Sequence, residues 1–119
     1  VNKPGQLSEH FHRDEFRCRC GCGFNTVDAE LIRILERVRN FFEQPVLVTS
    51  GCRCEEHNRK EGGSENSQHL LGRAADIKVL NVPPEVVQEY CLQLGVPGLG
   101  QYRSFTHVDS RDGHARWAG

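Results

Sequence analysis

Seven apolar residues, Val27, Leu31, Ile34, Leu35, Val38, Phe41 and Phe42, recur at intervals of three and four, the spacing that lines one face of an α-helix. Arg33, Glu36, Arg37, Arg39 and Glu43 fall mainly on the opposite face, which reads as solvated charge. Thr26 or Asp28 is of the type that caps a helix start, and Pro45 stops the helix. The β-rich run Val46, Leu47, Val48 and Thr49 follows at once and predicts a buried strand over 46–49. Residues 55–60 read as a short helix, and 61–68 as a polar, glycine-rich loop. Residues 74–79 then form a short, largely apolar strand bounded by Asn81 and Pro83. A second helix opens at Pro83–Pro84, with Val86, Val87, Tyr90, Leu92 and Leu94 as its apolar surface up to Gly95. Residues 105–109 predict the final strand, and the tail from Asp112 is polar except for Trp117, which reads as a packing residue.

Two of these strands carry residues that apolar surroundings do not tolerate alone. Asp76 lies between Ala75 and Ile77, and a buried carboxylate is costly unless it is paired or bound to metal. His107 and Asp109 stand two apart on the last strand and therefore share a face, with Val108 on the other. His69 ends the polar loop, after the break that Gly72 makes with the strand behind it. A lone histidine in an apolar strand is more often a hydrogen-bonded core residue than a ligand, and a buried Asp is often a cap or turn partner. Together, His69, Asp76 and His107 make the inventory of a three-ligand zinc centre that leaves a fourth position to water.

The ordered set extends further. Ser67-x-His69, Asp76 with Gly72-Arg73-Ala74 between, Phe105-x-His107-x-Asp109, the segment Thr49-Ser50-Gly51-Cys52-Arg53, and Gly98-Leu99-Gly100-Gln101-Tyr102 together resemble the zinc D-alanyl-D-alanine peptidase family, peptidase family M15. The fold of that family is shared with the hedgehog signalling domain. The resemblance runs from about Leu7 to Trp117 and implies an α+β fold, a small antiparallel sheet flanked by helices, in a single zinc peptidase domain over 1–119. It implies one catalytic Zn2+ on His69, Asp76 and His107. Arg53 would lie beside the metal and meet the carbonyl or carboxylate of the substrate, where a guanidinium fork matches developing negative charge. Ser67 and Gln68 fall on the rim that would contact substrate. Several branches of the family carry an acidic residue three positions before the last histidine ligand, and Ser104 occupies that place here. Asp109 is the substitute read as general base, with orientation of a metal ligand as its alternative role.

The substrate implied is a bacterial peptidoglycan peptide, cut at D-Ala-D-Ala, at L-Ala-D-Glu or at a cross-link, by a monomer. A zinc-stabilised binding module, as in the hedgehog relatives, is the reading from another class, and a cysteine-rich protein whose cysteines hold its zinc is a third. Compact, leaderless members of the family are often phage or prophage lysins released by a holin. An apolar export segment is not visible here, so the expectation is either such a lysin or a mature form acting in the periplasm or cell wall. Methionine is absent; Val1 fits removal of an initiator, and an engineered trim fits equally.

The net charge of −1 over 119 residues gives no electrostatic footing for nucleic acid or an anionic membrane, and no apolar run approaches a membrane span. At the N-terminal end, Leu7, Phe11 and Phe16 are anchors, Ser8 or Arg13–Asp14 start short helical turns, and His10 and His12 read as surface residues that do not face one way. Cysteine use is the unusual feature. Cys18, Cys20, Cys22, Cys52 and Cys54 hold five of the six cysteines, so residues 1–25 form a cysteine-rich arm cross-linked to the segment carrying Arg53. That cross-link is a disulfide or a structural zinc on the same five cysteines, the zinc not favoured because C-x-C spacing is less typical of zinc sites than C-x2-C, and reduced thiols that simply pack are a third reading. Cys91, on the apolar face of the second long helix, reads as a free buried thiol.

Overall fold

The computed structural model describes residues 4–119, and Val1 lies outside them. The periodic run becomes helix α1, Ala29–Phe42, which buries Leu31, Ile32, Ile34, Leu35 and Val38. It ends where Glu43 turns left-handed at φ 53° and returns its N–H to the Arg39 carbonyl. Asp28 occupies the cap position but makes no side-chain bond to the helix. Its carboxylate instead accepts the Ser110 hydroxyl at 2.6 Å, and its N–H donates to the Gly72 carbonyl at 2.8 Å. The start of α1 is thereby pinned to the chain just after His69 and just after the last predicted strand. Helix α2 is Glu55–Lys60 and helix α3 is Pro84–Leu94, with Pro84 at the first helical position and Gly95 closing the end at φ 78°.

Five strands form one sheet: β1 Val46–Ser50, β2 Ala74–Val79, β3 Gly98–Gln101, β4 Thr106–Asp109 and β5 Ala115–Ala118, in the order β1-β2-β4-β3-β5. The pairs β1–β2, β2–β4 and β4–β3 are antiparallel, as expected, but β5 joins β3 in parallel, so the sheet is mixed. β3 and β5 were not expected as strands. β1 was expected to be buried and is an edge strand instead: Val46 is buried, while Leu47 is 49% exposed. An edge strand with one wet face alternates, whatever its β-propensity.

Both long helices cover one face of this sheet. Ala75, Ile77 and Val79 of β2, Val108 of β4 and Leu99 of β3 meet Leu31, Leu35 and Val38 of α1 and Val87 and Cys91 of α3 in a single core. Each such aliphatic side chain contributes about 1.5–3 kcal/mol of burial. Cys91 is completely buried there, and burial pushes its thiol up to about 12. Since strand side chains alternate, the opposite face of β2 and β4 carries Asp76, His107 and Asp109. The core thus sets which face the polar residues share. No helix among the described residues is long and apolar enough to cross a membrane.

The N-terminal arm packs on this unit through Phe11 and Phe16, which are 2% and 1% exposed. His12 caps the 3-10 turn Arg13–Phe16, with Glu15 returning a bond to the His12 N–H. His10 pairs with Glu36 at 2.6 Å. The two histidines therefore serve separate local roles and share no site.

Candidate metal centre

Asp76 and His107 are direct cross-strand partners on β2 and β4. His69 reaches them from a 3-10 turn, Gln68–Leu71, whose start is capped by the Ser67 hydroxyl accepting the His69 N–H. The Gly72 residue that ends this turn sits at φ 68°, and a Cβ there would lie 2.3 Å from the Thr26 carbonyl oxygen. Glycine is the residue that permits both the reversal and the contact.

His69 Nε2 lies 3.3 Å from Asp76 Oδ1, and His107 Nδ1 lies 3.1 Å from the same oxygen. One donor atom from each of the three residues falls within 4.8 Å of the others, and all three residues are buried. A tetrahedral zinc with ligand bonds of 2.0–2.2 Å separates its ligand atoms by about 3.4 Å, so the spacing fits. The outer ring nitrogens fit as well. His69 Nδ1 is 2.6 Å from the Gly51 carbonyl, an acceptor only, so Nδ1 carries the proton and Nε2 presents its lone pair inward. His107 Nε2 is 2.7 Å from Asp109 Oδ2, which leaves Nδ1 as the inward lone pair. Outer partners of this kind fix the tautomer and ring plane of metal-binding histidines.

The electrostatics follow from this packing. In the metal-free chain the inward ring nitrogens act as donors instead: burial alone would raise the Asp76 carboxyl, but hydrogen bonds from His107 and His69 and their charge hold it well below the usual carboxylate range. Burial likewise opposes a charged His107, and its bonds to Asp109 and Asp76 outweigh that and raise it. Asp109 is also held low, because His107 and Arg111 outweigh its burial.

Asp109 is fully buried, and its oxygens are engaged by other groups. Oδ1 accepts the Arg111 N–H at 3.1 Å and Nε at 2.8 Å, while Oδ2 accepts Arg111 Nη2 at 2.7 Å and His107 Nε2 at 2.7 Å. This geometry suits orientation of His107 rather than the general base read from its position beside His107 on the strand. β3 is built around the same group. A Cβ on Gly98 would lie 1.9 Å from Asp109 Oδ1, and one on Gly100 would lie 2.7 Å from the Trp117 ring. Gly98→Ala is therefore expected to destabilise the fold by about 1–3 kcal/mol, the usual range for overpacking, visible as a lower melting temperature. Equal melting temperatures would show that the buried carboxylate can move.

Arg53 follows β1 and is held from several sides. Its N–H donates to the His69 carbonyl at 2.9 Å; its Nε donates to Ser50 Oγ at 3.2 Å, Nη1 to Asn58 Oδ1 at 3.3 Å and Nη2 to Asp76 Oδ2 at 3.4 Å. With Ser67, Gln68, His69, Asp76 and His107 it lines a cavity of about 650 Å3. Gln68 Oε1 is buried without a hydrogen-bond partner. Ser104, in the place where an acid was sought, does not line the cavity; the carboxylates that do are Asp76 and Glu61.

Residues that sequence reasoning passed over complete the site. Trp117, read as a packing residue, lines the cavity, donates its indole N–H to the Tyr102 hydroxyl at 2.9 Å, and lies 4.9 Å from the His107 ring. Arg111 stacks over Trp117 at 5.0 Å while clamping Asp109. The tail supplied one usable signal, an arginine two residues after Asp109, the reach of a short local fork.

The cysteines do not pair as disulfides; all six are free. Cys18, Cys20, Cys22 and Cys54 cluster. Cys52 stands apart, its thiol donating to the Phe24 carbonyl at 3.1 Å and pushed up to about 11 by burial.

Across the chain, the family model described as Peptidase M15 matches residues 9–109. No curated protein matches the sequence.

Proposed function

The chain belongs to the peptidase M15 family, and on that premise we propose that it is a zinc metallopeptidase hydrolysing an amide bond in the peptide stems or cross-links of bacterial peptidoglycan. The observation that carries this reading is the convergence of His69 Nε2, Asp76 Oδ1 and His107 Nδ1 beside Arg53 in one open cavity. What a zinc ion bound to these three residues supplies is a polarised scissile carbonyl and a water acidified to a pKa of about 7.

The remaining work belongs to the chain's own side chains. A guanidinium offers five N–H donors, and three on Arg53 are taken by Ser50, Asn58 and Asp76. Two are left to bind the oxygen on which negative charge develops. Gln68 lines the cavity as the neutral amide side chain that meets the peptide. Asp109 keeps the His107 proton on Nε2, so that Nδ1 remains a lone pair. Glu61, at the rim, is the carboxylate among the cavity residues that is not committed to the imidazoles.

The test is mass spectrometry of purified peptidoglycan fragments incubated with the zinc-loaded protein, with His107→Ala alongside. New peptide termini made by the unmodified protein alone identify both the activity and the bond. Fragments left intact across several wall types, with zinc bound, overturn the peptidase reading in favour of a binding module.

Asp109→Asn separates the two roles open to that residue. With Asp109 orienting His107, zinc affinity is expected to fall about 10- to 100-fold, measured by chelator competition. Unchanged affinity with turnover abolished would return Asp109 to the role of base.

A further inference from the structure

We infer that Cys18, Cys20, Cys22 and Cys54 form a second, thiolate-bound metal site, for zinc or another thiophilic divalent cation, that locks the N-terminal arm onto the segment carrying Gly51 and Arg53. The four sulfur atoms lie within 4.8 Å of one another. Cys18 Sγ is 3.4 Å from Cys20 Sγ and 3.8 Å from Cys54 Sγ, and Cys20 Sγ is 3.7 Å from Cys54 Sγ. Zinc with four bonds of about 2.3 Å to sulfur sets its ligands about 3.8 Å apart. A disulfide would bring a pair of them to about 2.05 Å, whereas the Cys18 and Cys20 sulfurs stand 3.4 Å apart.

The backbone is arranged for four sulfurs rather than two. Gly21 and Gly23 both sit at positive φ, 84° and 92°, which folds Cys18, Cys20 and Cys22 back to one point in five residues. The loop is closed at its neck by the Cys18 N–H on the Phe24 carbonyl at 2.7 Å. From across the gap, the Cys54 N–H donates to Cys18 Sγ and the His57 N–H donates to Cys54 Sγ, each at 3.4 Å. N–H donors aimed at sulfur favour the thiolate form that binds metal. The remaining cysteines, Cys52 and Cys91, point elsewhere and are buried.

The cluster bears on the cavity through covalent neighbours. Cys54 follows Arg53 directly and caps α2. Two residues before it, the Cys52 N–H bonds to the Phe16 carbonyl at 2.9 Å, a Cβ on Gly51 would lie 2.5 Å from that same oxygen, and the Gly51 carbonyl holds His69. A metal on the four sulfurs therefore fixes the loop that aims both the His69 ring and the Arg53 fork.

Metal content of the purified protein tests this independently of any peptidase activity. In His107→Ala, where the imidazole centre is broken, native mass spectrometry is expected to find one zinc still bound, and cobalt added in its place should give the intense sulfur-to-cobalt charge-transfer band. In C20S/C22S, chosen because both side chains are exposed, that zinc and that band should be lost. Should the double variant not fold, alkylation of the unmodified protein decides: four thiols protected until a chelator is added support the site. A metal-free His107→Ala protein, a mass short by two hydrogens per cysteine pair, or thiols that react equally with and without chelator would overturn it.

Discussion

Asp76→Asn is expected to abolish zinc binding at the imidazole centre and to lower peptide hydrolysis about a thousandfold or more. Metal polarisation of a carbonyl contributes several kcal/mol to the transition state, and each 1.36 kcal/mol is tenfold in rate. Asp76 Oδ1 is the atom that both inward ring nitrogens face, at 3.1 and 3.3 Å, so loss of its charge removes the element common to the donor set. The same substitution acts on the metal-free fold, because Arg53, its side chain only 12% exposed, is left beside a neutral amide. Breaking a buried pair from one side costs about 3–5 kcal/mol, and the melting temperature with chelator present should fall accordingly.

The pH dependence of that metal-free stability checks the assignment in a second way. Asp76 and Asp109 titrate below ordinary carboxylates in the folded chain. Their stabilisation is full above the unfolded value of about 4 and is lost as pH falls through the folded values. His107 is shifted upward, so its contribution is full below about 6.5 and is lost as pH rises through its folded value. Metal-free stability should therefore be greatest between about pH 4 and 6.5. In Asp76→Asn the acid limb should shrink, and the decline from His107 should be smaller and complete at lower pH, since one of its two carboxylate partners is gone. Superimposable profiles for variant and parent would refute the pairing. Bound zinc reverses the His107 limb, because the ligating imidazole must be neutral.

What the chain discloses in advance, and what it withholds, follows from where the information resides. The α1 and α3 helices are legible because each repeats an apolar pattern over enough residues to declare its period, and β2 and β4 because each is a short run with β-branched residues bounded by breakers. β3 is not, because Gly98 and Gly100 have low β-propensity; they are glycine to leave room for the Asp109 carboxylate and the Trp117 ring, and both of those lie elsewhere in the sequence. β5 alternates half-buried with exposed positions at a polar terminus and pairs in parallel with β3, a contact with no local signature. The residues His69, Asp76, His107 and Arg53 can be singled out by burial cost and by resemblance, but their convergence depends on β2 and β4 being neighbours with Asp76 opposite His107. Strand order is a property of the whole sheet. The cysteines show the same limit: spacing groups Cys52 with the others, yet Cys52 and Cys54 divide, one thiol meeting Phe24 and the other meeting Cys18. Asp109 is the sharpest case, since both of its oxygens are engaged by Arg111, two residues on, turning its guanidinium back.

Arg53→Lys should retain zinc and lose catalysis, with kcat falling about a hundredfold or more, the scale seen when one preorganised donor to a developing oxyanion is removed. Charge is conserved in this variant, so the change isolates geometry. Lysine carries a single ammonium on a flexible stem, whereas the Arg53 fork is held by Ser50, Asn58 and Asp76 at 3.2, 3.3 and 3.4 Å and keeps its plane fixed toward the cavity. The lysine variant loses that aim even though the Asp76 carboxylate still has a cation nearby. A purely structural role predicts a different result: a lower melting temperature, with kcat per folded, zinc-loaded molecule unchanged. The split between kinetic constants adds further resolution. An arginine meeting the scissile carbonyl lowers kcat on internal and terminal bonds alike, whereas one gripping a substrate carboxylate raises KM, and only for peptides with a free C-terminus. Measured on a stem peptide and its C-terminal amide, kcat for Arg53→Lys should fall on both; a kcat/KM within about threefold of the parent on both would remove Arg53 from the catalytic group.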